Sequence, residues 1–297
     1  MPVRMKLLGL ACVIAAVAVP VAAASRHHSA CSTYTVRTLL SGQGWLESLA
    51  FDGRGGLTIS ALTQGRILRL TRRGHLTTLL DHVSAPGGEI VRGRSLYFTT
   101  GDIVPPAANG TIDRLDMRTG SHTTWARGLA MPNGLAFLPD GDAVVTRDIE
   151  TGVPATDVTL VPAHNRRHPR TNWIRIPDTN GITVDPSGRW LYVDRSFTTD
   201  AIVDRVAIDR PRRVQGITRL GAGVIADDMS IDAAGRLYIA GFGTGRIYRL
   251  DPRAHASCAI ARGMINPTAV IFGGRGWPTD DLFVTSASGY VYELKPR

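Results

Sequence analysis

The clearest order in this sequence is an alternation of polar and apolar residues in short runs. The segments 65–70 (GRILRL), 245–250 (GRIYRL) and 289–294 (GYVYEL) place apolar side chains at every second position. A period of two is typical of a strand with one buried face, whereas a helix repeats about every 3.6 residues. Asp-Gly, Pro-Asp-Gly and Pro-Ser-Gly sequences separate the runs and favour hairpin turns. The sequence after residue 24 therefore predicts an all-β protein.

Four segments share a longer pattern that starts with an oxygen-bearing side chain. Counted from that first residue, positions +2 and +4 are apolar and position +8 is glycine. The segments are ESLAFDGRGG from Glu47, NGLAFLPDGD from Asn133, NGITVDPSGR from Asn180 and DDMSIDAAGR from Asp227. We call these four first residues the anchors. The last three anchors follow one another at intervals of 47 residues, so they occupy equivalent places in consecutive repeats.

Two further units lack an anchor but keep the strand pattern, one around Gly88 and one after Pro267. Unit starts near 47, 88, 133, 180, 227 and 267 give a period of about 44 residues, which marks propellers or solenoids. A solenoid would need atypical capping repeats, so we predict a six-bladed β-propeller made by a single domain over 25–297. Tyr34–Leu40 is expected to join the last blade as its outer strand, which closes the ring and removes open sheet edges.

The first 24 residues have the layout of a cleavable signal peptide. Arg4 and Lys6 precede an uncharged apolar stretch over 7–24, which ends in the small residues 22–24. We therefore expect a Sec-type signal peptide over 1–24 and a secreted protein, extracellular or in the cell envelope, without a stable membrane anchor after cleavage. A transmembrane anchor is the alternative, because the apolar stretch is just long enough to span a bilayer.

Cysteine usage agrees with export. Removal of Cys12 with the signal peptide leaves Cys31 and Cys258, an even pair that an oxidising compartment can join. The alternative is two unpaired thiols, because the sequence does not give the Cα separation that a disulfide needs. We predict the Cys31–Cys258 disulfide.

The net charge of +9 comes from 34 Lys and Arg residues against 25 Asp and Glu residues. A basic chain can bind nucleic acid. Here the arginines are scattered, and they cluster only at 166–170 (RRHPR) and 210–213 (RPRR), without interleaved aromatic residues. We therefore expect a small-molecule substrate and no nucleic-acid partner, and the oligomeric state stays open.

The anchors predict a metal site. Equivalent positions in a propeller converge on the central channel, where two carboxylates and two amides suit a hard divalent cation. Calcium is expected first, with magnesium, manganese or zinc as alternatives, although zinc usually recruits histidine or cysteine. Asn-Gly and Asp are also common turn formers, so each motif by itself is weak evidence, and the case depends on all four being in phase.

At these residues the sequence resembles a known family. The motifs MPNGLAFLPDG, NGITVDPSGRWLYVD, DDMSIDAAGRLYIA and PTAVIFGGRG are similar to the senescence-marker-protein/gluconolactonase/luciferin-regenerating-enzyme-like hydrolases. Diisopropyl-fluorophosphatase and the paraoxonase-like lactonases share that architecture. The resemblance implies a six-bladed propeller with a metal ion in its channel. It maps the metal ligands onto four residues, Glu47, Asn133, Asn180 and Asp227.

The sequence departs from the family pattern at two places. Where the family usually has Pro-Asp-Gly-Met, this chain has Ala-Asp-Asp-Met over 226–229. Asp227 or Asp228 could then face the metal, and the phase of the repeats favours Asp227. The first motif, Trp-Leu-Glu-Ser-Leu over 45–49, lacks the Glu-Gly-Pro of sugar lactonases, which leaves the substrate open.

The function expected from this resemblance is metal-dependent hydrolysis of a lactone or related ester. The ion would polarise the carbonyl, water would attack it, and Asp227 would act as the catalytic base. Arg147 and Arg195 are candidates for binding an anionic substrate. Segment 154–170 is where we expect specificity to be set.

Three histidines, His82, His122 and His164, are candidates for proton transfer. A non-catalytic calcium-stabilised binding scaffold and a strictosidine-synthase-like enzyme are the alternative functions, because one fold serves many functions. The sequence contains no Gly-x-Ser-x-Gly, His-Glu-x-x-His or phosphate-loop motif.

Overall fold

Short antiparallel strands joined by tight turns make up the whole described part of the computed structural model, which covers residues 31, 33–103, 109–147 and 157–297. The predicted signal peptide over 1–24 lies outside these residues. Within them there is no α-helix, and no helix long and apolar enough to cross a membrane.

The strands form six four-stranded sheets, each of which is one blade. Blade 1 contains β2 (Leu46–Phe51), β3 (Gly56–Ala61), β4 (Arg66–Thr71) and β5 (Leu76–Leu80). Blade 2 contains β6 (Pro86–Arg92), β7 (Ser95–Thr100), β8 (Gly110–Asp116) and β9 (His122–Leu129). Blade 3 contains β10 (Pro132–Phe137), β11 (Ala143–Arg147), β12 (Val158–Val161) and β13 (Arg170–Ile174).

The second half of the chain repeats this arrangement. Blade 4 contains β14 (Thr179–Val184), β15 (Trp190–Arg195), β16 (Ile202–Ala207) and β17 (Val214–Arg219). Blade 5 contains β18 (Ala226–Ile231), β19 (Leu237–Gly241), β20 (Arg246–Asp251) and β21 (Ala256–Arg262). Blade 6 contains β22 (Pro267–Phe272), β23 (Leu282–Ser286), β24 (Val291–Pro296) and β1 (Tyr34–Leu40).

The first strand of each blade lies at the centre of the ring. These strands contact one another in sequence, β2 with β6, β6 with β10, β10 with β14, β14 with β18, β18 with β22 and β22 with β2. Apolar side chains fill the spaces between neighbouring blades; Leu49 of blade 1, for example, packs in one cluster with Phe283 of blade 6. The predicted all-β, six-bladed propeller is confirmed.

The N-terminal strand closes the ring as predicted. Strand β1 pairs antiparallel with β24, from Tyr34 opposite Pro296 to Leu40 opposite Val291. Arg37 of β1 also donates two hydrogen bonds to Glu293 of β24, at 2.9 and 2.5 Å. Blade 6 is therefore assembled from both ends of the described chain.

A disulfide reinforces this closure. Cys31, just before β1, is bonded to Cys258 in β21, with a Cα separation of 6.4 Å. Because β21 is the last strand of blade 5 and β1 belongs to blade 6, the bond joins the outer strands of two neighbouring blades.

Replacement of both cysteines by serine, C31S with C258S, is expected to lower the free energy of unfolding by about 2–4 kcal/mol, since the bond restricts the unfolded chain. Urea unfolding of the oxidised protein and of the variant measures the difference. A reducing agent should destabilise the original protein by a similar amount and leave the variant unchanged. Equal stability of the oxidised and reduced protein would contradict the prediction.

One inner-strand position departs from the apolar pattern of the core. The residue at position +2 is apolar in five blades and glutamate in blade 2, the six being Leu49, Glu89, Leu135, Ile182, Met229 and Val270. Burial raises the pKa of Glu89 to about 8, and the nearby Thr58 hydroxyl and Ala50 backbone only partly oppose this rise. Neither carboxyl oxygen makes a well-formed hydrogen bond among the described residues. This carboxyl is therefore a cost to the folded state at neutral pH.

Candidate functional site

Every innermost strand has a β-bulge at the same place. In blade 1, Leu46 pairs with Ala61 and Leu49 with Ile59, so Glu47 and Ser48 together face the single residue Ser60. The other five inner strands shift register at the equivalent point. Bulges re-aim side chains, and these bulges lie at the start of each inner strand. We call the end of the ring where the inner strands start the anchor face. It is formed by the loops that precede the first strand and follow the second strand of each blade.

All four anchors occupy the first bulge position of their blades. The six equivalent residues are Glu47, Gly87, Asn133, Asn180, Asp227 and Thr268. The four anchor side chains are buried. Two are in direct contact, because the Asn133 amide nitrogen lies 3.2 Å from Glu47 Oε1. Asn180 and Asp227 occupy the same place on the next two inner strands, which contact each other.

The anchors fit a hard divalent cation by their chemistry. All four can offer oxygen, and Asn180 Oδ1 is a buried acceptor without a hydrogen-bond partner in the part of the chain that the structure describes. A buried acceptor is costly unless something binds it, and a cation would do so. Among the described residues, no three His, Cys, Asp or Glu side chains form a group that could hold a metal ion, so amide oxygens must complete the ligand set.

An indole ring orients the first anchor. Trp45 Nε1 donates a 2.6 Å hydrogen bond to Glu47 Oε2, and its ring lies 6.2 Å from that of Phe242, centroid to centroid. The indole thus takes one carboxylate oxygen of Glu47 and leaves the other, Oε1, towards Asn133.

Threonines opposite the bulges hold the anchors of the following blade. Thr99 of blade 2 donates to the carbonyl of Asn133 at 2.9 Å, and Thr285 of blade 6 donates to that of Glu47 at 3.3 Å. Thr146 of blade 3 makes the same bond to Asn180. The backbone of each of these anchors is therefore fixed by its neighbouring blade, which keeps the side chains in place.

Asp194 stands where blades 2, 3 and 6 have these threonine hydroxyls. Its Oδ1 accepts a 2.9 Å hydrogen bond from the Gly181 amide. Its Oδ2 and the Asp227 carbonyl line the same small space, because a Cβ added to Gly181 would meet them at 2.7 and 2.6 Å. Burial, with added repulsion from Asp228 and Asp204, raises the pKa of Asp194 well above its usual value. Asp194 Oδ2 has no hydrogen-bond partner among the described residues.

Asp227 and Asp228 have different surroundings. Asp227 holds the anchor position, whereas Asp228 Oδ2 lies 3.4 Å from the hydroxyl of Ser48, the residue after the anchor of blade 1. Burial raises the pKa of Asp228 to about 6, opposed by the Met229 amide and the Ser48 hydroxyl. In the other blades with an anchor this second bulge position holds Ser48, Gly134 or Gly181. The structure thus places Asp228 at the second bulge position, with its carboxylate reaching from blade 5 to Ser48 of blade 1.

A further carboxylate, missed by the sequence analysis, joins the anchors. Asp102 follows β7, is 1% exposed, and its two oxygens lie 3.3 and 3.2 Å from the Asn133 amide nitrogen. It is out of phase with the repeats, so spacing could not reveal it. The available signal was the glycine at the anchor position of blade 2, Gly87, which leaves space beside the channel.

The two candidate arginines lie at equivalent ends of second strands. Arg195 makes two hydrogen bonds to the buried Asp204, at 2.5 and 3.0 Å. The positive charge of Arg195 is therefore paired with a carboxylate of the same blade. The backbone nitrogen of Arg147 donates to Thr179 at 3.3 Å. Both residues therefore stand near the anchor face, and the Arg195 guanidinium is already engaged.

The candidate histidines are not brought together. His82 precedes β6 at the anchor face, whereas His122 lies on the outermost strand of blade 2 and bonds Asp113 at 2.7 Å. His164 is exposed in the loop between β12 and β13, at the opposite end of the ring. That loop forms most of the described part of segment 154–170, so this part lies away from the anchors, while residues 154–156 fall outside the described chain.

The anchor face also carries exposed apolar side chains. Ile103, Phe197 and Ile265 are the large hydrophobic residues that are exposed among those described. Ile103 and Phe197 follow second strands and Ile265 precedes an inner strand, so all three lie at the anchor face. We call these three residues the apolar rim.

Comparison with known proteins places this geometry in a family context. The family model for the SMP-30/Gluconolactonase/LRE-like region matches residues 173–288, which include two of the four anchors. No curated protein matches the chain.

Solved structures of similar fold share little sequence with it. A gluconolactonase from Xanthomonas campestris has a TM-score of 0.70 and 17% identity, over 89% of this chain and 90% of that chain. Regucalcin, a calcium-binding protein from Agrobacterium tumefaciens, has a TM-score of 0.68 and 16% identity, over 90% and 96%. Virginiamycin B lyase from Staphylococcus aureus has a TM-score of 0.65 and 12% identity, over 89% and 100%. At these identities the structures establish the propeller fold alone. The resemblance read from the motifs is confirmed by the family match: residues 173–288 of this six-bladed propeller are similar to the SMP-30/Gluconolactonase/LRE-like region.

Proposed function

We propose that this protein is a divalent-metal-dependent hydrolase of a lactone or related ester, with calcium as its ion. The observation that carries the proposal is the placement of Glu47, Asn133, Asn180 and Asp227 at equivalent bulges around one channel. Asn180 supports it with a buried oxygen that lacks a partner among the described residues. The gluconolactonase-like family match and the similarity to a calcium-binding regucalcin agree with this assignment.

Different residues of the chain would have different roles in such a reaction. When bound, the divalent ion would supply a Lewis acid for the carbonyl oxygen and its developing charge. Asp227 is the proposed base that accepts a proton from the attacking water. Trp45 orients Glu47, and the threonine hydroxyls fix the anchor backbones, so the donor groups are held before substrate arrives.

The apolar rim bears on the substrate. Ile103, Phe197 and Ile265 expose apolar side chains at the anchor face, and binding sites are mostly apolar with a few polar groups. We propose a lactone or ester that carries an apolar group, with Arg147 at the anchor face as the residue that orients a polar or anionic part. The absence of Glu-Gly-Pro in the first motif agrees with a substrate other than a sugar lactone.

We also propose export to an oxidising compartment. The layout of residues 1–24 supports a signal peptide. The Cys31–Cys258 bond supports the same location, because structural disulfides persist mainly outside the reducing cytosol.

Turnover of a panel of aliphatic and aryl lactones, before and after treatment with a chelator, tests the proposed reaction. We expect activity that is lost on chelation and restored by added calcium. The product should gain the mass of one water, since hydrolysis adds water, whereas a lyase product would keep the substrate mass. Activity that survives complete metal removal would refute the metal dependence. Calcium binding without turnover of any ester would instead support a binding scaffold.

A further inference from the structure

Blade 2 differs from its neighbours at the anchor position, where it has Gly87. An alanine at this position would place its Cβ 2.9 Å from Asp102 Oδ2 and 2.7 Å from Thr99 Oγ1. Both distances are shorter than real side-chain contacts. The space that an anchor side chain would use in blade 2 is therefore taken by the carboxylate of Asp102.

The backbone after β7 directs Asp102 into that space. Gly101 has a φ of +85°, a conformation that favours glycine, and its amide donates to the Ser84 carbonyl at 2.8 Å. The Asp102 amide donates to the Ala85 carbonyl at 3.3 Å. These bonds hold the start of the loop against the segment that leads into β6. Asp102 is thus placed by a defined turn, and its side chain is almost completely buried.

The Asp102 carboxylate belongs to the same cluster as the anchors. The Asn133 amide nitrogen lies 3.2 Å from Glu47 Oε1 and 3.2 Å from Asp102 Oδ2. Asn133 thus bridges two carboxylates that would otherwise repel each other. The contacts thus join two carboxylates, Glu47 and Asp102, through Asn133. Asn180 on the next inner strand adds a buried Oδ1 that has no hydrogen-bond partner among the described residues.

We propose that Asp102 is an additional carboxylate of the metal site, supplied by blade 2 in place of an anchor. This inference rests on the metal site of the proposed function but does not depend on the reaction. Ligand charge sets the affinity of calcium sites, so the Asp102 carboxylate should strengthen cation binding. It should favour trivalent lanthanide ions over calcium even more, because their attraction to each added negative charge is greater.

Calorimetric titration of the full chain with calcium and with terbium, without substrate, tests the role of Asp102. Asp102→Asn is expected to weaken calcium binding by about tenfold or more and terbium binding by a larger factor. Asp209→Asn removes the same charge from an exposed position in the loop between β16 and β17 and should leave both affinities unchanged. An unchanged affinity in Asp102→Asn would overturn the inference.

A second variant covers the case in which Asp102→Asn does not fold. Gly87→Ala keeps the carboxylate but forces it out of its place, so it should weaken binding by a similar factor. Combining it with Asp102→Asn should add little, because both changes remove the same contact. Full affinity in Gly87→Ala would also overturn the inference. If the original protein binds neither ion, the metal site of the proposed function is refuted together with this inference. If the original protein binds both ions and the variants bind them equally well, this inference alone is refuted.

Discussion

Replacement of Asp227 by alanine is expected to abolish metal binding and to reduce lactone turnover by about 10²–10⁴-fold, the range typical of removing a general base. Asp227 occupies the first bulge position of blade 5, the place that Glu47, Asn133 and Asn180 occupy in theirs. The variant removes a charged ligand and the proposed base together. Calorimetry with calcium measures the first loss, and initial rates with the best lactone of the panel measure the second.

Asp228→Ala is the matched control, because it removes the same type of side chain one residue away. Asp228 occupies the second bulge position, not the anchor position, and contacts Ser48, so we expect this variant to keep most of its calcium affinity. A variant of Asp228 that loses the metal, together with an Asp227 variant that keeps it, would shift the ligand assignment by one residue.

Replacement of Glu89 by glutamine is expected to stabilise the protein by about 3 kcal/mol at pH 7. Burial raises the pKa of the Glu89 carboxyl from 4.5 to about 8, so the folded state holds a proton that the unfolded state releases. Glutamine keeps the shape and carries no ionisable proton. Urea unfolding between pH 4 and pH 9 measures the effect.

The sign of the pH dependence follows from the direction of this shift. Below the ordinary pKa both states of Glu89 are protonated, and the carboxyl costs nothing extra. As the pH rises towards about 8, the unfolded state gains an advantage of up to about 1.4 kcal/mol per pH unit. Glu89→Gln should remove this slope, and Glu89→Leu should do so too, since leucine fills the same position in blades 1 and 3. A wild-type protein that is as stable as Glu89→Gln at pH 8 would contradict the prediction.

The fold was predictable because the residue patterns that determine it repeat at regular intervals along the sequence. Alternating residues defined the strands, the interval between units defined the blades, and the strand at Tyr34–Leu40 had a pattern but no unit of its own. Ring closure through that strand follows from sheet edges needing partners. The sequence could not show the bulge in each inner strand, because a bulge is a change in pairing between two strands rather than a feature of one segment.

The candidate site was predictable only where it shares that periodicity. The four anchors occupy the same position in their repeats. Because each inner strand has its bulge at that position, the anchor side chains have the same orientation in each blade. Asp102 and Asp194 lie on second strands or the loops after them, and only three-dimensional contacts reveal what they face. Arg195 was predicted as a candidate for binding an anionic substrate. Its guanidinium is bound to Asp204 on the next strand of the same blade, and that pairing depends on the register between the two strands.

The closure of blade 6 also fixes the order in which the molecule can be completed during synthesis. Strand β1 is among the first described segments to leave the ribosome, yet its partner β24 is made only after the strands of blades 1 to 5. Blades 1 to 5 can pair their own strands as they emerge, whereas β1 must wait with an unpaired edge until β24 has been made. The last step of assembly is thus the pairing of the most distant segments, and until then the unpaired β1 is the edge most open to pairing with another chain.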